Sequence, residues 1–248
     1  MDVPIAAFIL VGFVAQLIDG ALGMAYGVSS NAVLLSLGIP PAAASASVHL
    51  AKCVTTAISG ASHWKLGNVN KNLIKKLLIS GMAGGILGSF VLTSIDGNLI
   101  KPFVAVYLIL MGVIILVKAF GKKHVHRHVT THLVPLGLTG GFFDSIGGGG
   151  WGPIVTTTLV ARGNCPRLAI GSVNLAEFFV TVAQSVTFLL ALGVLDTGKI
   201  ILGLLVGGAI AAPFAALATK KLPLRLLMTI VGVLIIALSV WTIAVSLR

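Results

Sequence analysis

Apolar runs follow one another along nearly the whole chain, at about 5–18, 22–37, 42–63, 73–95 and 102–119, then at 133–143, 149–161, 168–192, 198–218 and 223–246. Several reach the roughly 20 residues needed to cross a bilayer as a helix. Within the hydrocarbon, backbone N–H and C=O groups must find partners inside the protein, which restricts such segments to regular, internally bonded structure. Of the 248 residues 57% are hydrophobic and only 9% are charged, and the mean hydropathy is +1.08. A soluble domain carries roughly a quarter charged residues. The reading is an all-α integral membrane protein.

The net charge of +11 does not point to nucleic acid, because the basic residues fall mostly in short loops between apolar runs. Lys65, Lys71, Lys75 and Lys76 form one cluster; Lys118, Lys122, Lys123 and Arg127 a second; Lys220, Lys221 and Arg225 a third. The loops at 96–101 and 193–199 carry one lysine and one aspartate each. Placing the basic loops in the cytoplasm is consistent throughout, puts Arg162 and Arg167 inside and both termini outside, and describes a multi-pass protein of the plasma (inner) membrane. The start, Met1-Asp2-Val3-Pro4, lacks the basic region of a signal peptide, so the first run is read as part of the mature protein. Cys53 and Cys165 are too few for a disulfide framework and are read as free thiols.

One apolar stretch is interrupted by Gly147-Gly148-Gly149-Gly150-Trp151-Gly152-Pro153. Four consecutive glycines followed by a proline cannot continue a regular helix. Irregular backbone at membrane depth survives only where protein buries it or where it lines a polar cavity.

The break has a twin. A shift of 125 residues places Gly12, Asp19, Gly23 and Gly27 on Gly137, Asp144, Gly148 and Gly152, and Ser47-Val48-His49-Leu50-Ala51 on Ser172-Val173-Asn174-Leu175-Ala176. Gly81 meets Gly207 and Gly112 meets Gly232 after small changes of shift. The chain therefore divides into a first repeat at 1–120, a basic, histidine-rich cytoplasmic linker at 121–132 and a second repeat at 133–248. With the basic loops inside, each repeat makes an odd net number of crossings, so the two are inverted, as in many secondary transporters. The first two runs of each repeat are too short to span, and each pair reads as a re-entrant hairpin followed by three transmembrane helices. Ten full crossings satisfy the same parity.

The glycine-rich motif, its degenerate first copy Asp19-Gly20-Ala21-Leu22-Gly23-Met24-Ala25-Tyr26-Gly27 and the two-fold repeat resemble the TauE/SafE family of sulfite-exporter-type transporters. The resemblance covers nearly the whole chain. It implies export of a small sulfur-containing anion, sulfite or an organosulfonate such as sulfoacetate.

Half-helix N-termini offer free N–H groups and a partial positive charge, an anion site without a basic side chain. Gly23, Gly27 and Gly147 to Gly150 with Trp151 are the candidates for it. Close helix packing also uses glycine. Ser29, Ser30 and Asn31 follow the first tip and Thr156, Thr157 and Thr158 the second; their hydroxyl and amide groups can bond an oxyanion or their own backbone. His49 and Asn174 complete the candidate substrate contacts. Asp19 and Asp144 are either caps of the half-helices or carriers of a coupled proton. Lys52 and Glu177 superpose in the repeat, are costly in a membrane, and are expected to approach each other. His124, His126, His128 and His132 lack carboxylate or thiol company and read as a solvated linker rather than a metal site. No cofactor is expected. The motifs of nucleotide-binding folds and metalloproteases are missing, and nothing pairs a nucleophile with a base, so an enzyme is not expected either. A channel of the same architecture is the alternative to a transporter, and small-residue spacing is compatible with a homodimer.

Overall fold

The computed structural model describes residues 3–22, 24–121, 131–193, 197–221 and 224–246, and among these there is helix but no strand. In the first half, α1 (Ile5–Leu22) and α2 (Tyr26–Ser36) are followed by α3 (Pro41–Lys65), α4 (Lys71–Ser94) and α5 (Gly97–Phe120). In the second, α6 (Leu133–Gly147) leads through the glycine run to a π-helical turn (Gly152–Thr156) that continues into α7 (Thr157–Ala161). Then come α8 (Pro166–Leu192), α9 (Gly198–Lys221) and α10 (Leu224–Ser246).

Local signals set these boundaries. Pro41 and Pro166 open α3 and α8, where a missing N–H costs nothing. The Asn70 side chain accepts from the Asn72 and Leu73 N–H groups to cap α4, and Asp96 accepts from Asn98 to cap α5. Gly148, at φ +67°, ends α6 in the left-handed conformation that glycine adopts without strain. Both broken segments continue further than their apolar runs suggest, α1 to Leu22 and α6 to Gly147. The added turn of α6 carries Asp144 and Ser145, which are fully buried and bonded to neighbouring helices, so tertiary contacts replace apolarity there.

α3, α4, α5, α8, α9 and α10 have 23 to 27 residues, about 34–40 Å at 1.5 Å per residue and enough to cross the bilayer. Among the described residues four segments are also apolar enough to span: Lys71–Ser94, Gly97–Phe120, Leu168–Leu192 and Met228–Ser246. α3 is less apolar because it carries Ser45, Ser47, His49, Lys52 and Thr56, all buried within the protein. Large apolar side chains such as Ile79, Phe90, Phe103, Val117 and Leu190 are exposed. This inside-out distribution is that of a protein solvated by lipid.

The two halves interlock. α1 packs on α9, α6 on α4, α5 on α10 and α3 on α8, so the most extensive contacts join opposite halves. Small residues allow the close approaches: a Cβ on Gly84 or Gly88 would meet the carbonyls of Leu138 or Phe142, and one on Gly12 or Gly207 those of Leu204 or Ile9. Gly23, Lys122, Lys123, His124, His126, Arg127 and His128 lie outside the described residues, as do the side chains of Arg167, Lys220 and Lys221.

Candidate functional site

The two helix breaks meet in the interior. A Cβ on Gly27 would collide with the Gly148 carbonyl and Gly149 Cα, and a Cβ on Gly149 with the backbone of Gly27 and Val28. Tyr107 supports the second tip from α5: its hydroxyl donates to the Gly149 carbonyl at 3.2 Å, and side chains on Gly147 or Gly150 would strike its ring or hydroxyl. Asn31 Nδ2 donates to the Gly147 carbonyl at 2.7 Å, and the same side chain fills the space beside Gly148. Each glycine of the run therefore has a close neighbour: Tyr107 for Gly147 and Gly150, Asn31 for Gly148 and the opposite backbone for Gly149. At the first tip the left-handed residue is Ala25, at φ 95°, a conformation unusual for a residue with a Cβ.

The paired aspartates reach forward across the breaks. Asp19 Oδ1 accepts the Tyr26 N–H at 3.1 Å. Asp144 Oδ1 accepts the N–H groups of Gly150 and Trp151 at 2.7 and 2.9 Å. These carboxylates occupy N–H groups that begin the second half-helices, so part of the positive pole is already neutralised. The first regular backbone bonds beyond are Ser29 N–H to Ala25 and Ile154 N–H to Gly150. The N–H groups of Gly27, Val28 and Gly152 precede them.

Helical spacing then brings charge to the same place. Ser45, His49 and Lys52 recur at four and three residues on α3, as do Glu177, Thr181 and Gln184 on α8, which puts each set on one face. Lys52 Nζ lies 2.5 Å from Glu177 Oε1 and 3.7 Å from Asp144 Oδ1. Asp144 Oδ2 accepts from Gln184 Nε2 at 3.0 Å and lies 3.1 Å from His49 Nε2. The other ring nitrogen of His49 is 2.7 Å from the Ser45 carbonyl. Both nitrogens of His49 thus face acceptors. Gln184 also donates to Ser145 Oγ and the Gly141 carbonyl.

Between the tips lies a small cavity lined by Asp19, Met24 to Val28, Lys52, Gly149, Gly150, Gly152, Pro153 and Glu177. Its free space, about 10 Å³, holds about one water molecule. Ser29, Ser30, Asn31, His49, Gly147, Gly148, Trp151 and Asn174 do not line it. Ser29 Oγ bonds its own helix at Ala25 and Tyr26. Ser30 Oγ and Asn31 Oδ1 are buried without a protein partner. Trp151 is fully buried and donates to the Val173 carbonyl, while its repeat partner Tyr26 donates to the Leu204 carbonyl. Asn174 is only half-buried on α8, and its side chain takes part in none of the hydrogen bonds found. Of the threonines after the second tip, Thr156 is buried and Thr157 meets Lys118. Sequence reasoning overlooked Gln184 and Tyr107; the only available signal was a polar group inside an apolar run.

A helical membrane protein with two broken segments crossing at a buried charge cluster is built like a transport protein. The profile of the sulfite exporter TauE/SafE family matches residues 8–242, and the chain belongs to that family. It is 43% identical over 244 residues to the probable membrane transporter protein YtnM of Bacillus subtilis (strain 168), a match spanning 95% of this chain and 81% of the relative. No solved structure matches it.

Proposed function

We propose that the protein is a secondary transporter that exports sulfite or a related organosulfonate, holding the anion between the tips of two re-entrant hairpins in inverted repeats. The repeats are residues 1–120 and 133–248, joined by a cytoplasmic linker at 121–132. The observation that carries the reading is the cavity lined by Gly27, Val28 and Gly152, residues that open the second half-helices, together with Lys52. Helix-start N–H groups bind oxyanions without a surrounding basic cluster. The reciprocal packing of α1 on α9 and α6 on α4 supports the inverted repeat, because the two pairings exchange under the same symmetry that exchanges Asp19 and Asp144. Both termini then lie outside, and one hairpin-bearing unit moves against the other to alternate access. An oxyanion of several heavy atoms needs more room than one water, so the state described here is occluded and the tips part to load it. The closed cavity favours this over a standing pore.

Charge balance couples the anion to protons. Asp144 and Glu177 flank Lys52, Asp144 also faces His49, and Asp19 lines the same cavity as Lys52 and Glu177. Even with His49 charged, the cluster holds more negative than positive groups, and an added anion is repelled unless a carboxylate takes a proton. Asp144 accepts two backbone N–H bonds and one from Gln184, with His49 and Lys52 beside it, and serves as a fixed charge. Asp19 has one N–H donor and Glu177 only Lys52, so these two carry the protons. A protonated Glu177 releases Lys52 to the anion.

Labelled-sulfite counterflow in reconstituted vesicles tests both parts. Wild-type protein is expected to give saturable flux, competed by sulfoacetate and accelerated by acid on the side from which the anion moves. E177Q is expected to retain exchange of one anion for another while losing the acceleration by a pH gradient. Linear, non-saturating flux would support a pore instead, and an E177Q pH response equal to wild type would remove Glu177 from the coupling.

A further inference from the structure

Lys118 lies in the last turn of α5, half-buried, on the side of the protein that continues into the basic linker. A lysine at a helix end usually extends its ammonium toward the headgroups. This one turns toward the tips. Its Nζ is 3.3 Å from Met24 Sδ and 3.5 Å from Thr157 Oγ1. Met24 belongs to the first tip and lines the cavity, and Thr157 begins α7 just beyond the second. Both contacts are neutral, and no described carboxylate forms an ion pair with Lys118. A partly desolvated cation with no counter-charge at the margin of an anion cavity is an open electrostatic vacancy.

The second half has no equivalent cation. The shift that pairs Gly112 with Gly232 pairs Lys118 with Leu238, which packs against the hydrophobic core. Symmetric repeats predict equivalent contacts at the two positions, and here a cation stands at only one of the pair.

We propose that Lys118 is an anion-binding contact on the linker side of the cavity, where a sulfite or sulfonate group is held before it passes between the tips. The inference rests on the proposed transport of such anions and deepens it: the two faces of the protein differ in affinity, and the linker side binds more tightly. The anion replaces the thioether and hydroxyl contacts of the ammonium.

Half-saturation for labelled sulfite, measured in right-side-out and in inverted membrane vesicles, tests this for wild type, K118M, K118Q and K118R. K118M and K118Q are expected to raise half-saturation roughly tenfold, the scale of a partly desolvated charge contact, when sulfite is presented from the linker side. From the other side half-saturation is unchanged while the maximal rate falls in proportion, because Vmax/KM must stay equal in the two directions when no gradient is present, and K118R stays close to wild type. A neutral variant that leaves linker-side half-saturation unchanged, or shifts both sides equally, overturns the inference while leaving transport intact. Absence of saturable flux in wild type overturns the transport reading, and this inference with it.

Discussion

Asp144→Ala is expected to abolish sulfite flux and to destabilise the protein more than any other single substitution at the cluster. The side chain is fully buried and accepts from the N–H groups of Gly150 and Trp151 and from Gln184, with His49 and Lys52 within ion-pairing distance. Removing it leaves two helix-start donors unpaired, takes one of three acceptors from the Gln184 amide and takes a counter-charge from Lys52. Breaking one side of a buried charged network costs about 3–5 kcal/mol, a large part of a typical folding free energy. D144N separates stability from transport. Its amide oxygen can still accept from Gly150 and Trp151, but its NH₂ opposes the NH₂ of Gln184 and the charge is gone. The asparagine protein should therefore accumulate with a lowered melting temperature and transport weakly. Because Asp144 is assigned as a fixed charge, the residual flux of D144N should keep the wild-type shape of its pH dependence. A flattened profile would make Asp144 a proton carrier after all.

The second large effect is expected at Gly149, with the opposite signature. A methyl group there meets the backbone of Gly27 and Val28, which cannot rotate away as a side chain could. The two tips must separate, which opens the cavity and misaligns the N–H groups of Gly27 and Gly152. Overpacking of this kind costs about 1–3 kcal/mol, less than the loss of Asp144. Transport depends on the alignment itself, and a displacement of about 1 Å can cost on the order of 10²-fold in rate. Gly149→Ala should thus remain folded, as judged by gel filtration and thermal unfolding in detergent, while losing nearly all counterflow. Near-normal flux would mean that the crossing of the tips is not where the anion is held. Gly148→Ala is a useful comparison, because the methyl there meets the Asn31 side chain and also forces an alanine to φ +67°.

Much of this arrangement was legible from the residues. The apolar runs specify an all-helical membrane protein, the glycine run marks a broken segment, and the repeat pairs Asp19 with Asp144 and Lys52 with Glu177. The cost of a lone charge in lipid explains why Lys52 and Glu177 should seek each other, and they lie 2.5 Å apart. Other features depend on which surfaces tertiary folding brings together. The tips suggest free N–H groups, yet Asp144 reaches forward over six and seven residues to occupy those of Gly150 and Trp151, a contact no helical period encodes. Gln184, Tyr107 and Lys118 are single polar residues at unremarkable places in apolar runs, and their partners come from helices far away in the chain. The glycine run looks like one device from its sequence. In the fold its members accommodate Tyr107, Asn31 and the backbone of the opposite tip separately.

The central claim is that the anion lies between the tips, and Trp151 is placed to report it. Of the three tryptophans, Trp64 and Trp241 are exposed, whereas Trp151 is fully buried beside Gly150 and Gly152. In protein carrying W64F and W241F, the emission of Trp151 can be followed while sulfite is titrated. The account predicts a saturable change whose half-saturation matches that of flux, absent when chloride replaces sulfite and lost in Gly149→Ala. Saturable sulfite flux by the same protein with no response from Trp151 would contradict it.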